Sequence, residues 1–124
     1  EDFFTGLFET ALDDIELITA IRFEAPEKAG YGKFPNPASR YAMTGVFIAR
    51  KSETVRAAVT GAGDDGVFRC SELEGALSTD FSASALDGLT VPAENLMTDI
   101  HASADYRASL IVAMAKRAVT MANG

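Results

Sequence analysis

The sequence predicts an α+β fold, a small antiparallel sheet of three to four strands with helices packed on one face. Three observations carry that expectation. Apolar residues alternate with period 2 in the first half of the chain, they recur at three- and four-residue steps in the second half, and a short polar turn joins two of the alternating runs. A length of 124 residues fits a single domain with one core.

The first alternating run, residues 16–23, puts Leu17, Thr19, Ile21 and Phe23 on one face and Ile18, Ala20 and Arg22 on the other, the pattern of a strand. It stops at Ala25-Pro26, since proline has no N–H for a ladder. Residues 27–40 read as a loop, because Gly30, Gly32, Pro35 and Pro37 break any period, and the loop holds an aromatic-basic knot, Tyr31-Gly32-Lys33-Phe34. Strands follow over residues 41–50 and 54–62, joined as an antiparallel hairpin by Lys51-Ser52-Glu53. The glycine-rich tip at 61–66 leads into a weak strand at Val67-Phe68.

Beyond Cys70 the pattern turns helical. Ser71 is placed to cap residues 72–77, with Glu74 at capping-box spacing. The small and polar residues of 78–92, around Phe81, Leu86 and Leu89, leave room for a second short helix. Ser103 caps the last helix, which starts near Asp105 and carries Leu110, Ile111, Met114, Ala118 and Met121 at helical steps. Asp105 near its start and Lys116-Arg117 toward its end suit the helix dipole, and Asn123-Gly124 can finish it.

Composition narrows the function classes. Against 11 basic residues stand 18 acidic ones, a formal charge of −7 that repels phosphate backbones and anionic lipid, so nucleic acid is not expected as a partner. One cysteine allows neither an internal disulfide nor a four-cysteine metal site, which suits a reducing compartment; the expected location is the cytoplasm. No apolar run approaches the roughly 18 residues of a spanning helix, so membrane insertion is not expected. The opening Glu1-Asp2-Phe3-Phe4 lacks the basic start of a signal peptide, and residues 3–12 already look committed to structure, so the expectation is a piece of a longer protein.

No catalytic constellation emerges. The glycine-rich tip sets Asp64 and Asp65 where phosphates would sit, and it reads as a turn. These acids, like Asp13-Asp14, lack the spacing of a calcium loop. His101 is the only histidine, placed in the linker before the last helix, and Cys70 has neither a base nor an electropositive setting, so a structural thiol is expected. No Gly-x-Ser-x-Gly elbow is present. Lys33 differs in kind: composition alone reads it as a solvated lysine, but the flanking Tyr31 and Phe34 form a setting that can hold an ammonium near a cofactor or anion.

The run at 2–12 (DFFTGLFETAL), followed by ELITAIRF at 16–23, then Tyr31-Gly32-Lys33-Phe34, then Ser39-Arg40-Tyr41-Ala42 leading into the strand at 44–49, resembles the FAD-binding medium subunit of molybdenum hydroxylases. This is the xanthine dehydrogenase family, and the likeness is to its carbon monoxide dehydrogenase type. The resemblance continues into a Tyr-Arg helix, here from Asp105-Tyr106-Arg107-Ala108 onward. It implies that residues 1–15 are the tail of a preceding FAD-binding domain or the segment leading out of it, and that 16–124 are the flavoprotein C-terminal domain.

In that family a molybdenum centre on a large subunit oxidises the substrate. Two iron–sulfur clusters on a small subunit carry the electrons to FAD. The resemblance makes Ile18 the aliphatic residue beside the flavin and Lys33 the lysine that approaches the cofactor; Arg40 and Tyr41 are candidates by proximity. It assigns this chain no catalytic and no metal-binding residue. The isolated chain is expected to be inactive and to bind no FAD alone, because the glycine-rich cofactor loops belong to the preceding domain. The alternative from another class is a stand-alone, non-catalytic protein-interaction module.

Overall fold

Strand-forming sequence becomes sheet only where it finds a pairing edge and a surface to cover one face. A computed structural model of the chain describes residues 2–6 and 8–124. Its elements are β1 (Phe4–Gly6), β2 (Glu9–Thr10), β3 (Lys28–Pro35), β4 (Ala42–Lys51), β5 (Thr54–Gly63), β6 (Gly66–Arg69), α1 (Ser71–Thr79) and α2 (Ala104–Asn123), with a 3-10 turn at Ser84–Leu86. The four strands β3 to β6 form an antiparallel sheet in sequential order, and β1 and β2 make a separate two-stranded ribbon. The class is α+β, with both helices against the sheet.

Register sorts the side chains. Gly30 pairs with Ile48, Gly32 with Val46, Val46 with Val59 and Ile48 with Ala57, and all of these face the helices. Leu73 and Leu77 of α1 and Ile111, Met114, Ala115 and Ala118 of α2 close the same core. The intervening residues, Tyr31 with Phe47 and Ala49 with Arg56, point to the opposite, open face.

Two segments depart from the sequence expectation. Residues 16–23 are not a strand: Ile21 and Phe23 are 78% and 84% exposed, and residues 17–26 make no backbone–backbone hydrogen bond within the described chain. Alternation is present there without an edge to pair with. Conversely, the expected loop at 27–40 is mostly the eight-residue strand β3, and only residues 36–41 turn. Its glycines mark close packing rather than a break. A Cβ on Gly30 would lie 2.0 Å from the carbonyl oxygen of Ala118, and one on Gly32 would lie 2.2 Å from that of Met114, so α2 rides directly on the β3 backbone. Pro35 is tolerated because β3 is an edge strand.

The expected hairpin of β4 and β5 forms, with Lys51 opposite Thr54 across the turn. Helix α1 forms without its expected capping box. Cys70 occupies the N-cap position and its side chain makes no capping bond, while Glu74 is recruited elsewhere: its Oε1 accepts from the Ala57 amide at 2.9 Å and from Arg69 Nε at 2.8 Å. The 78–92 region contains one 3-10 turn that buries Leu86. Ser103 does cap α2, its hydroxyl accepting from the Tyr106 amide at 3.3 Å.

Candidate functional site

The sequence candidates Lys33, Arg40 and Tyr41 converge at the end of the β3–β4 hairpin. Asn36 builds the turn: its Oδ1 accepts from the amides of Ala38 at 2.9 Å and Ser39 at 3.3 Å, and its own amide donates to the Tyr41 carbonyl at 2.7 Å. The Arg40 amide closes the loop on the Asn36 carbonyl at 2.9 Å, and Arg40 takes a left-handed φ of 64°. That conformation presents the Arg40 carbonyl to the Lys33 ammonium, which donates to it at 3.3 Å.

Lys33 therefore sits on a strand and not in a loop, opposite Gly45 of β4. Among the described residues its ammonium has no carboxylate partner. Tyr41 stands beside the turn, 81% exposed. The expected aromatic knot divides between the two faces. Tyr31 shares the open face with Lys33, whereas Phe34 turns to the helix side and meets Tyr106 edge-on, the ring centroids 6.4 Å apart.

Ile18 lies in the extended segment ahead of β3, 50% exposed and outside any strand. Ile18 and Lys33 line none of the clefts bordered by Phe68, Arg56, Arg50 and Val112. The other candidates fall into structural settings. Burial pushes the Cys70 thiol up to about 11, which keeps it a protonated core group; it donates to Glu72 at 3.4 Å. His101 is exposed in the turn that precedes α2, with its amide on Asp99 Oδ1 at 2.9 Å. Asp64 and Asp65 form the β5–β6 turn, and no group of three or more His, Cys, Asp or Glu among the described residues is placed to hold a metal.

Sequence reasoning missed the role of Arg107. Its residue is 2% exposed, and its Nη1 donates to the carbonyls of Met43 at 2.5 Å and Gly61 at 2.9 Å while Nη2 meets Asp99 at 2.7 Å. Within the described chain only Nε lacks a partner. The signal was available in the spacing: Arg107 falls on the apolar stripe that continues through Ile111, Met114 and Ala118.

Comparison with protein-family models, with curated proteins and with solved structures gives no match in any of the three. No helix among the described residues is long and apolar enough to cross a membrane.

Proposed function

We propose that this chain is the C-terminal domain of the FAD-binding subunit of a molybdenum hydroxylase of carbon monoxide dehydrogenase type. In this reading it closes one side of the FAD site and packs the subunits for electron transfer from iron–sulfur clusters to the flavin, in the cytoplasm. One observation carries most of the support. Phe8, Ile15, Leu17, Ile21 and Phe23 expose their side chains in one stretch ahead of the sheet, a surface that a second body would cover.

The residues present fit the cofactor chemically. An ammonium with only a neutral carbonyl as partner suits an anionic edge or phosphate, so Lys33 would hold FAD there, with Ile18 supplying apolar contact. FAD itself would supply the redox chemistry. The chain alone contributes closure and packing, and its partners are the preceding FAD domain, the molybdenum subunit and the iron–sulfur subunit.

The test is FAD binding by the longer natural subunit, wild type against Lys33→Ala, followed by flavin fluorescence with the 124-residue chain as control. Binding by the subunit, weaker binding by the variant and none by the short chain is the expected result. An unchanged variant removes Lys33 from the site. A subunit that binds no flavin transfers support to the second reading, a non-catalytic interaction module, which the open basic face of the sheet favours.

A further inference from the structure

The sheet face opposite the helices is aromatic and cationic. Tyr31 and Phe47 are register partners at its centre, 41% and 43% exposed, among small residues such as Ala49 and Ala58. Gly45 lets Tyr31 lie across the strands: a Cβ there would come within 2.4 Å of the Tyr31 hydroxyl and 2.6 Å of Thr60 Oγ1. The charged residues that β3 to β6 send to this face are Lys33, Lys51, Arg56 and Arg69, and no carboxylate is among them. Glu24 pairs with Lys51 and Glu74 with Arg69, so Lys33 and Arg56 carry the excess positive charge of this face in a chain of net charge −7.

The chain's own N-terminal arm shows what chemistry seats there. Asp2 lines one cleft with Phe47, Arg56, Ala58 and Arg69, while Phe23 and Glu24 line a second with Ala49, Lys51 and Arg56. Glu24 forms an ion pair with Lys51. At one end of the arm, then, a carboxylate adjoining a phenylalanine in sequence pairs with a lysine of the basic face, and at the other Asp2 borders the same face. Between them Arg56 lines both clefts; among the described residues it makes no direct hydrogen bond or ion pair, and the carboxylate that acts on it is Glu74, which spends its own bonds on Arg69 and the Ala57 amide.

We propose that this open face binds an acidic segment of a partner protein, its apolar side chains on Tyr31 and Phe47 and its carboxylates on Arg56. Charge complementarity selects the occupant. A second copy of this face would oppose cation to cation, and a nucleic acid would bring a phosphate chain toward a protein of the same sign with few unpaired cations to receive it. The inference stands apart from the flavin reading, since it needs neither Lys33 nor the cofactor.

The experiment titrates the 124-residue chain with a Glu-Phe-Leu-Glu-Phe-Leu-Glu peptide, its lysine counterpart and a thymidine oligonucleotide, followed by backbone amide NMR. The expected result is saturable shifts on β3 to β6 with the acidic peptide alone. Binding should weaken with salt and by about tenfold in Arg56→Glu. Arg56 is exposed, so that variant keeps the wild-type spectrum elsewhere, and Phe47→Ala serves as the apolar counterpart. The absence of saturable shifts, equal binding of the lysine peptide, or an unaffected Arg56→Glu variant overturns the proposal. Tighter binding of the oligonucleotide on this face also overturns it, in favour of a nucleic-acid surface.

Discussion

Arg107 of α2 reaches the carboxylate of Asp99 in the preceding loop, with 2.7 Å between Nη2 and Oδ2, from a side chain that is almost wholly buried. The same guanidinium holds the carbonyls of Met43 and Gly61, so one side chain fixes the start of β4, the irregular stretch of β5 and the approach to α2. Replacing it with methionine keeps the apolar stem but takes the guanidinium donors from the Met43 and Gly61 carbonyls and the ion pair from Asp99. Arg107→Met is expected to lower stability by about 3 kcal/mol, read as a shifted urea midpoint. Arg107→Lys should recover only part of the loss, because an ammonium cannot span the three acceptors.

Acid sensitivity follows from three carboxylates, of which Glu72 is held below the ordinary glutamate range chiefly by its own backbone amide. Asp99 is held below the ordinary aspartate range chiefly by the His101 amide, helped by the Ala102 amide and Arg107 against a desolvation cost. At Glu74 burial opposes ionisation, yet the bonds from Arg69 and the Ala57 amide outweigh it and the net shift is downward. A carboxyl whose folded pKa lies below its unfolded value, about 4, stabilises the protein fully above that value and loses the contribution as pH falls through the folded one. The urea midpoint should therefore drop progressively below about pH 5. Glu74→Gln should flatten that dependence, and an unchanged slope would remove Glu74 as a source.

The parts of the fold that were legible in the sequence are those where a local signal and the tertiary outcome coincide. Val46 and Ile48 alternate and find a partner strand in β5, and Ile111, Met114 and Ala118 share a helical stripe that meets the sheet. The failures share one cause. Residues 16–23 carry a strand pattern with no edge to join, while β3 carries loop composition because its glycines answer to a helix more than eighty residues away in sequence. A local window contains neither fact. Ser71 and Glu74 match the capping-box spacing, yet Arg69 and the Ala57 amide compete for the carboxylate and win it.

The candidate site was legible as a set of residues and not as a geometry. Lys33, Arg40 and Tyr41 do come together at one hairpin end, through the Asn36 turn that their spacing alone does not reveal. Phe34 groups with Tyr31 by proximity in sequence, but strand alternation sends it to the other face. The stripe through Ile111, Met114 and Ala118 places Arg107 on the core side of α2, but its acceptors are carbonyls that β4 and β5 bring from far along the chain.

Glycine offers the sharpest stability contrast in the molecule. Gly30 faces backbone: an added Cβ would meet the Ala118 carbonyl oxygen at 2.0 Å and the Ala122 amide nitrogen at 3.0 Å, neither of which a rotamer change can move. Gly30→Ala must push α2 off β3, and is expected to cost at least about 2 kcal/mol as overpacking. Gly75 lies inside α1, and a methyl group added there would have nothing within 4 Å. At that position the backbone freedom of glycine only destabilises the helix, so Gly75→Ala should stabilise the protein by up to about 1 kcal/mol. The two substitutions add the same methyl group and should move the thermal midpoint in opposite directions. If Gly30→Ala proved as benign as Gly75→Ala, α2 would not rest on the β3 backbone.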